Sequence, residues 1–356
     1  MGTGCAVSDA GETMPADMSR RSPSVSRPRR GRWRQVACAV CAAALSLAAG
    51  AGPAAAADRF ALVVTGASGG PQYAEKYDEW RSAFVQLLQG PLGYGEDHVL
   101  VLAEEEFAGA RTATRENVRS AVADIRARAT RDDLVLVVLV GHGSGSDGGD
   151  AKFNLVGPDL SAREWSALLA PLPSRLVFIN AASGSFPFIE GLSGRNRIVI
   201  TANDSAAQQF ETVLPQFLVD AFRDDAADLD KNGRVSMWEA FAFVSARVSE
   251  WFDTRAQLAT EHPMLDDDGD GVGRLVGDRG EDGLLARATY LRNEPPIPEG
   301  GNPETTALLR RKAELTIALD ELRARKPMMP AGEYESALET LLLELARVDR
   351  ALKSRS

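Results

Sequence analysis

The sequence predicts an α/β protein built on a mostly parallel, three-layer sheet with helices on both faces. The first observation is a set of short, unalternated runs rich in Val, Leu and Ile, which are typical of strands buried on both faces. The second is that helical patterns lie between these runs, since repeated strand–helix units favour parallel pairing. The strand-like runs cover 60–65, 98–102, 134–140, 175–180 and 197–202, and the helical patterns cover 72–90, 114–129 and 161–170.

The third observation is a helix start signal inside this region. Ser161 and Glu164 stand three residues apart before an apolar pattern, which is the spacing of a capping box. The alternation of elements continues to the helix that follows the fifth strand. We therefore expect the α/β domain to cover residues 58–225.

Further helices are predicted beyond the sheet. A helix pair spans about 206–252, and its first helix is shared with the α/β domain. Residues 253–302 hold an Asp/Gly-rich segment and then a Pro/Gly-rich linker, which marks a boundary. In residues 303–356, leucines recur at three- and four-residue spacing on both sides of a short break. This pattern predicts an antiparallel helical hairpin.

The N-terminus has the organisation of a secretory signal peptide. A cluster of arginines precedes an apolar stretch at 36–49, and an Ala-rich cleavage site follows. We expect residues 1–57 to be removed by cleavage near Ala57, with Met18 as the true start of translation. Because the apolar stretch is too short to span a bilayer, we expect a secreted or periplasmic protein without a membrane span.

Charge and cysteine content exclude several classes of function. The full chain has a formal net charge of −10, and removing the 7 basic and 3 acidic residues of 1–57 leaves about −14. Such an acidic chain is unsuited to phosphate backbones, so no nucleic-acid partner is expected. Cys5, Cys38 and Cys41 are the only cysteines, and all precede the cleavage site. The mature chain is therefore expected to lack a disulfide, a thiolate metal site and a thiol nucleophile.

A glycine-containing stretch, ALVVTGASGG, follows the first strand and suggests dinucleotide binding. The would-be last glycine of the fingerprint is replaced by Gln72, and Pro71 lacks the N–H that would face a phosphate. No acidic residue closes the following strand at 98–102. Nucleotide binding is therefore kept only as a third hypothesis.

Two strand ends carry residues suited to hydrolytic chemistry. The run LVLVVLVGHG ends with His142 between two glycines, which allow a substrate backbone to approach the ring closely. Histidine is suited to proton transfer near neutral pH. The run VFINAASGSF ends a later strand with Ala181, Ala182 and Ser183. Neighbouring strand ends can bring a base and a nucleophile together.

These motifs resemble those of the caspase and legumain class of cysteine peptidases, over roughly residues 59–225. In that class the histidine follows an apolar strand as His-Gly, and the cysteine follows a later strand in a small-residue motif before glycine. Caspase spacing puts the missing cysteine at Ala182, and legumain spacing puts it at Ala181. The resemblance implies a caspase-like sheet with His142 as a vestigial base and no nucleophile.

Two interpretations of this edge remain open. The first is a protein without catalytic activity, which binds a peptide or protein partner or serves as part of an assembly. The second is a peptidase or other hydrolase that uses Ser183 or Ser185 as the nucleophile and His142 as the base. Asp147 or Asp150 would then orient the histidine.

The strongest motif is DLDKNGRVSMWE at 228–239, which matches the EF-hand calcium loop at every templated position. Oxygens at positions 1, 3, 5, 7, 9 and 12 bind the ion, and Gly233 at position 6 makes the sharp turn. Helical patterns flank the loop, and we expect it to bind Ca²⁺. The predicted ligands are Asp228, Asp230, Asn232, the backbone carbonyl of Arg234, Ser236 and Glu239.

A second acidic run, LDDDGDGVG, repeats only the first half of this template. Asp266, Asp268 and Asp270 stand at positions 1, 3 and 5, but a glycine occupies position 12, so no carboxylate closes the loop. One interpretation is a weaker second metal site that borrows a carboxylate from Glu261 or Asp278. The other is a solvated turn.

Overall fold

The computed structural model describes residues 57–145, 151–278, 280–292, 302–326 and 329–354. Three predictions fall outside these residues. They are the signal peptide at 1–57, of which the structure describes only Ala57, the orienting role of Asp147 or Asp150, and the greater part of the Pro/Gly-rich linker.

A mostly parallel sheet forms the centre of the protein. Within the described residues, seven strands form it in the order β3-β2-β1-β4-β8-β9-β10, and three short strands form a separate antiparallel sheet. All neighbours in the large sheet are parallel except β10, which is antiparallel to β9. The strands are β1 (Arg59–Thr65), β2 (Val99–Ala103), β3 (Ala110–Thr112), β4 (Leu134–Val140), β5 (Gly143–Ser144), β6 (Lys152–Phe153), β7 (Leu160–Ser161), β8 (Arg175–Asn180), β9 (Arg197–Thr201) and β10 (Met264–Asp266).

Helices cover both faces of the large sheet. Along β1, Phe60 and Leu62 belong to a core shared with α2, α3 and α4, whereas Ala61 and Val63 belong to a core shared with α1, α5 and α6. The predicted α/β class with a mostly parallel sheet is therefore confirmed. The described helices are α1 (Pro71–Gln89), α2 (Arg115–Arg128), α3 (Ala162–Leu169), α4 (Phe188–Leu192), α5 (Leu214–Ala221), α6 (Met237–Asp253), α7 (Leu284–Arg287), α8 (Pro303–Arg325) and α9 (Ala331–Lys353).

The elements predicted up to β9 agree with the structure to within one residue at each boundary. The capping box is present at the start of α3. The Glu164 N–H donates to Ser161 Oγ at 3.3 Å, and the Ser161 N–H donates to Glu164 Oε2 at 2.9 Å. These elements can be predicted from the sequence because hydrophobic periodicity and helix caps depend on residues that are close together in the chain.

The helix expected from about residue 206 is wrong in its boundaries. Residues 206–213 are not helical, and α5 ends at Ala221, seven residues before the first acidic loop. A distant carboxylate determines the start of α5, because Glu261 accepts the N–H groups of Val213 at 2.7 Å and Leu214 at 2.8 Å. A short 3-10 helix at Asp225–Ala227 leads into the loop instead.

Residues 253–302 contain more regular structure than the sequence suggested, since β10 and α7 both lie there. Beyond them, α8 and α9 contact each other, with ion pairs from Arg311 to Glu344 at 2.5 Å and from Lys312 to Asp349 at 2.9 Å. No helix in the described part of the chain is long and apolar enough to cross a membrane.

The contact made by Glu261 predicts a pH dependence of stability. Burial raises the pKa of this carboxyl from 4.5 to about 8. A pKa that is higher in the folded than in the unfolded state stabilises the fold at low pH, and this stabilisation is lost as the pH rises through the folded value. In urea unfolding, we expect the free energy of unfolding to fall more steeply between about pH 5 and pH 8 in the wild type than in Glu261→Gln. If the free energy of unfolding changed with pH in the same way in both proteins, Glu261 would not be the source of the pH dependence.

Candidate metal centre and the strand-end histidine

The two strand ends singled out by the sequence are in direct contact. His142 follows β4 and Ser183 follows β8, and these strands are adjacent and parallel. The Gly143 N–H donates to Ser183 Oγ at 3.2 Å. A Cβ atom at position 143 would lie 2.1 Å from the Ser183 carbonyl oxygen, so only glycine fits there. The sheet thus brings both motifs to one edge.

Two tyrosines of α1 contact the His142 ring. Tyr77 Oη lies 3.1 Å from Nε2, and the Tyr73 ring packs edge-on with a centroid distance of 4.8 Å. Burial raises the pKa of Tyr77, with a further contribution from Glu211, so the phenol remains protonated near neutral pH. The sequence did not indicate these partners, because the tyrosines fit an ordinary helical pattern.

Both candidate serine hydroxyls bond to other groups. Ser183 Oγ accepts a hydrogen bond from the Gly143 N–H and donates one to the Gly143 carbonyl at 3.4 Å. Ser185 Oγ donates to Asn203 Oδ1 at 3.2 Å and accepts a backbone N–H at 3.0 Å. Both serines are buried, and among the described residues neither hydroxyl is hydrogen-bonded to His142. The contact between nucleophile and base that a serine hydrolase needs is therefore not formed.

The two candidate positions for the missing cysteine are fully buried. Ala181 packs in the core shared with α1, α5 and α6, and Ala182 packs in the opposite core. The Ala181 N–H donates to the Leu139 carbonyl at 2.9 Å, and the Ala182 N–H donates to Asn180 Oδ1 at 3.1 Å. A nucleophile at either position would need the surrounding core to open before a substrate could reach it.

The glycine-containing stretch after β1 lacks free donors for a phosphate at its start. The Gly66 N–H donates to the Val140 carbonyl at 2.9 Å, and the Ala67 N–H donates to the Asn154 carbonyl at 3.1 Å. Helix α1 then begins with Pro71, which has no N–H. The geometry does not favour the nucleotide hypothesis.

The first loop, residues 228–239, brings its acidic side chains together. Carboxylate oxygens of Asp228, Asp230 and Glu239 all lie within 4.8 Å of one another. Calcium binds oxygens at 2.3–2.6 Å, so two of its ligands are at most about 5 Å apart. The spacing therefore fits a single Ca²⁺ ion.

Glu239 is held in the first loop by hydrogen bonds to both of its oxygens. Oε1 accepts the N–H groups of Leu229 at 2.9 Å and Asp230 at 3.2 Å. Oε2 accepts the N–H and the hydroxyl of Ser236, both at 2.8 Å. Ser236 also caps α6 through the Glu239 N–H. These four bonds orient the carboxylate and use about all of its lone-pair sites, so an ion bound by Glu239 would have to replace some of them.

The backbone of the first loop curls around its first aspartate. Gly233 has a φ of 83°, and its N–H donates to Asp228 Oδ2 at 2.8 Å. The Asn232 N–H lies 3.0 Å from carboxylate oxygens of both Asp228 and Asp230. Burial raises the pKa of Asp230, and the nearby Glu239 and Asp228 raise it further. A cation in the loop would offset this repulsion.

The second loop, residues 266–277, also clusters its carboxylates. Oxygens of Asp266, Asp268 and Asp270 lie within 4.8 Å of one another, and Asp266 is fully buried. Neither carboxylate that the sequence offered as a closing ligand bonds to this cluster. Glu261 binds the start of α5, and Asp278 Oδ2 accepts the Leu275 N–H at 3.0 Å.

No protein-family model matches the chain, and no curated protein matches it. A solved structure with partial likeness is protein GSU0716 from Geobacter sulfurreducens, at 12% sequence identity and a TM-score of 0.40. The match covers 59% of this chain and 92% of that chain. A likeness at this TM-score supports no conclusion about fold or function.

The buried hydroxyl of Ser185 predicts a structural role. Ser185→Ala leaves Asn203 Oδ1 and a buried backbone N–H without this partner, so we expect it to lower the free energy of unfolding by about 1–3 kcal/mol. Ser249→Ala, on the exposed side of α6, is the matched control and should change it by less than about 0.5 kcal/mol. Equal urea midpoints for the two variants would contradict the prediction.

Proposed function

We propose that the protein is an exported calcium-binding protein. The observation that carries this proposal is the convergence of Asp228, Asp230 and Glu239 in a loop that matches the EF-hand template throughout. The six predicted ligand atoms are all oxygens, and a set of oxygen ligands suits Ca²⁺ better than it suits metals that prefer nitrogen or sulfur. The expected signal peptide would deliver the chain to a compartment outside the cytoplasm.

In this proposal residues 228–239 form an EF-hand loop with α6 as its exiting helix. Bound calcium would be held by the six predicted ligands, and Glu239 would contribute both oxygens. Calcium would thereby join the start of α6 to the loop, and α6 is also tied to the segment after α7, because the Met237 N–H donates to the Thr289 carbonyl at 2.8 Å. The ion would therefore stabilise the packing of α6 on the sheet.

We further propose a caspase- or legumain-like α/β domain without its nucleophile, followed by a helical hairpin of α8 and α9. Support comes from His142 at the end of β4 beside the Ala181–Ser183 segment, and from alanine at both candidate cysteine positions. The serine alternative is weaker, because both hydroxyls are engaged elsewhere. Such a domain would bind a peptide or protein partner rather than cleave it.

Calcium should stabilise the protein. At a calcium concentration a hundredfold above the dissociation constant, binding contributes about 2.7 kcal/mol, or about 5 °C in melting temperature. EDTA should remove this gain, and magnesium should restore little of it, because a bidentate glutamate suits a larger coordination sphere. Melting temperatures measured by calorimetry in calcium and in EDTA test this.

Two variants locate the effect in the first loop. Glu239→Gln should abolish most of the calcium-dependent gain. Asp225→Asn removes one exposed charge just outside the loop and should leave the gain unchanged. A wild-type melting temperature that is the same in calcium and in EDTA, with no calcium binding by titration calorimetry, would leave the loop an ordinary acidic turn.

The purified chain 58–356 should not cleave peptides after Asp, Asn, Arg or Lys. The physical reason is that neither Ser183 nor Ser185, the two serine nucleophiles that the sequence offers, is hydrogen-bonded to His142. Fluorogenic peptide substrates provide the measurement. Turnover that disappears in both His142→Ala and Ser183→Ala would instead establish the hydrolase alternative.

A further inference from the structure

The second loop has the same internal hydrogen bonding as the first. In both loops the glycine at position 6 donates its N–H to Oδ2 of the aspartate at position 1, at 2.8 Å in each case. In both loops the N–H at position 7 also donates to the side-chain oxygen at position 5, at 2.8 Å for Arg234 and 2.7 Å for Val272. The first seven positions of the two loops therefore share these hydrogen bonds, although position 12 of the second loop is a glycine.

A carboxylate from outside the second loop makes the backbone contacts that one oxygen of the glutamate makes in the first loop. In the first loop, Glu239 Oε1 accepts the N–H groups at positions 2 and 3. In the second loop, Asp282 Oδ1 accepts the corresponding N–H groups, those of Asp267 at 2.8 Å and Asp268 at 3.3 Å. Asp282 lies five residues beyond Gly277, the twelfth position, so a sequence template cannot find it.

The second oxygen of Asp282 is buried without a hydrogen-bond partner. The side chain is only 4% exposed, and within the described residues Oδ2 accepts no hydrogen bond. Arg274 forms an ion pair with this oxygen, at a distance of 3.1 Å from Nε to Oδ2. The N–H group of Nε does not point at Oδ2, so the contact is not a hydrogen bond. The same guanidinium donates to Asp270 Oδ2 at 2.8 Å. Asp282 Oδ2 therefore has a charge partner but no hydrogen-bond donor, which leaves its lost hydration only partly compensated.

We propose that Asp282 closes the second loop as a calcium ligand, together with Asp266, Asp268 and Asp270. The inference extends the calcium-binding function proposed above, because the protein would then bind two calcium ions. Without calcium, Arg274 balances the charge of Asp270 and Asp282. In the calcium-bound state, the ion displaces the guanidinium of Arg274 from Asp282 Oδ2 and binds that oxygen.

Titration calorimetry of the chain 58–356 with calcium chloride tests the proposal. The wild type should bind two ions. Asp282→Asn should lose one ion and retain the one that depends on Glu239, and Glu239→Gln should lose the other. Asp278→Asn removes an exposed carboxylate from the same segment and should still bind two ions.

A second variant covers the case in which Asp282→Asn does not fold. Arg274→Gln removes the competing cation and should raise the affinity of the second ion about tenfold. Two ions of unchanged affinity in Asp282→Asn, or an unchanged second affinity in Arg274→Gln, would overturn the inference. A wild type that binds one ion, lost in Glu239→Gln, would overturn it while leaving the proposed function intact. A wild type that binds no calcium would overturn both.

Discussion

Burial of the central strands on both faces is the constraint on which the rest of the structure depends. All seven residues of β4 are buried, and successive residues along the strands pack alternately against the helices on one face and on the other. Parallel pairing satisfies the backbone groups of these strands and brings their carboxyl ends to a common edge. The contact between the His142 segment and the Ser183 segment is a direct consequence of this arrangement.

The same close packing gives both serine hydroxyls of this edge hydrogen-bond partners other than His142. The Gly143 backbone lies so close to Ser183 that its N–H donates to the serine hydroxyl. The Ser185 hydroxyl in turn donates to the side chain of Asn203. The alanines at 181 and 182 fill the two cores. Residues that look catalytic in the sequence thus complete the packing of a strand end, while the histidine ring contacts the tyrosines of α1.

Both acidic loops contact the segment that forms α7. Asp267 accepts the N–H groups of Gly283 and Ala286 at 2.6 Å, and so it caps this short helix. The first loop contributes Trp238, whose ring lies 4.0 Å from the Arg287 guanidinium. Burial lowers the pKa of Arg287, whereas the charges of Asp267 and Glu239 raise it. Carboxylates of both loops therefore act on one arginine, which gives the two loops a common electrostatic environment.

The sequence alone was sufficient to predict the five long strands of the large sheet, the helices α1, α2 and α3 between them, the capping box at Ser161 and the template of the first loop. These features depend on neighbours within a few residues, so periodicity and spacing reveal them. The short strands and the helices α4 and α7 gave no comparable local signal. Three contacts depend on tertiary packing: Glu261 caps α5, Ser183 binds Gly143, and Asp282 binds backbone N–H groups of the second loop. Each of these contacts joins segments that are distant in the chain or fall outside a known template. Their partners are chosen by how the sheet and its loops pack, which local patterns do not encode.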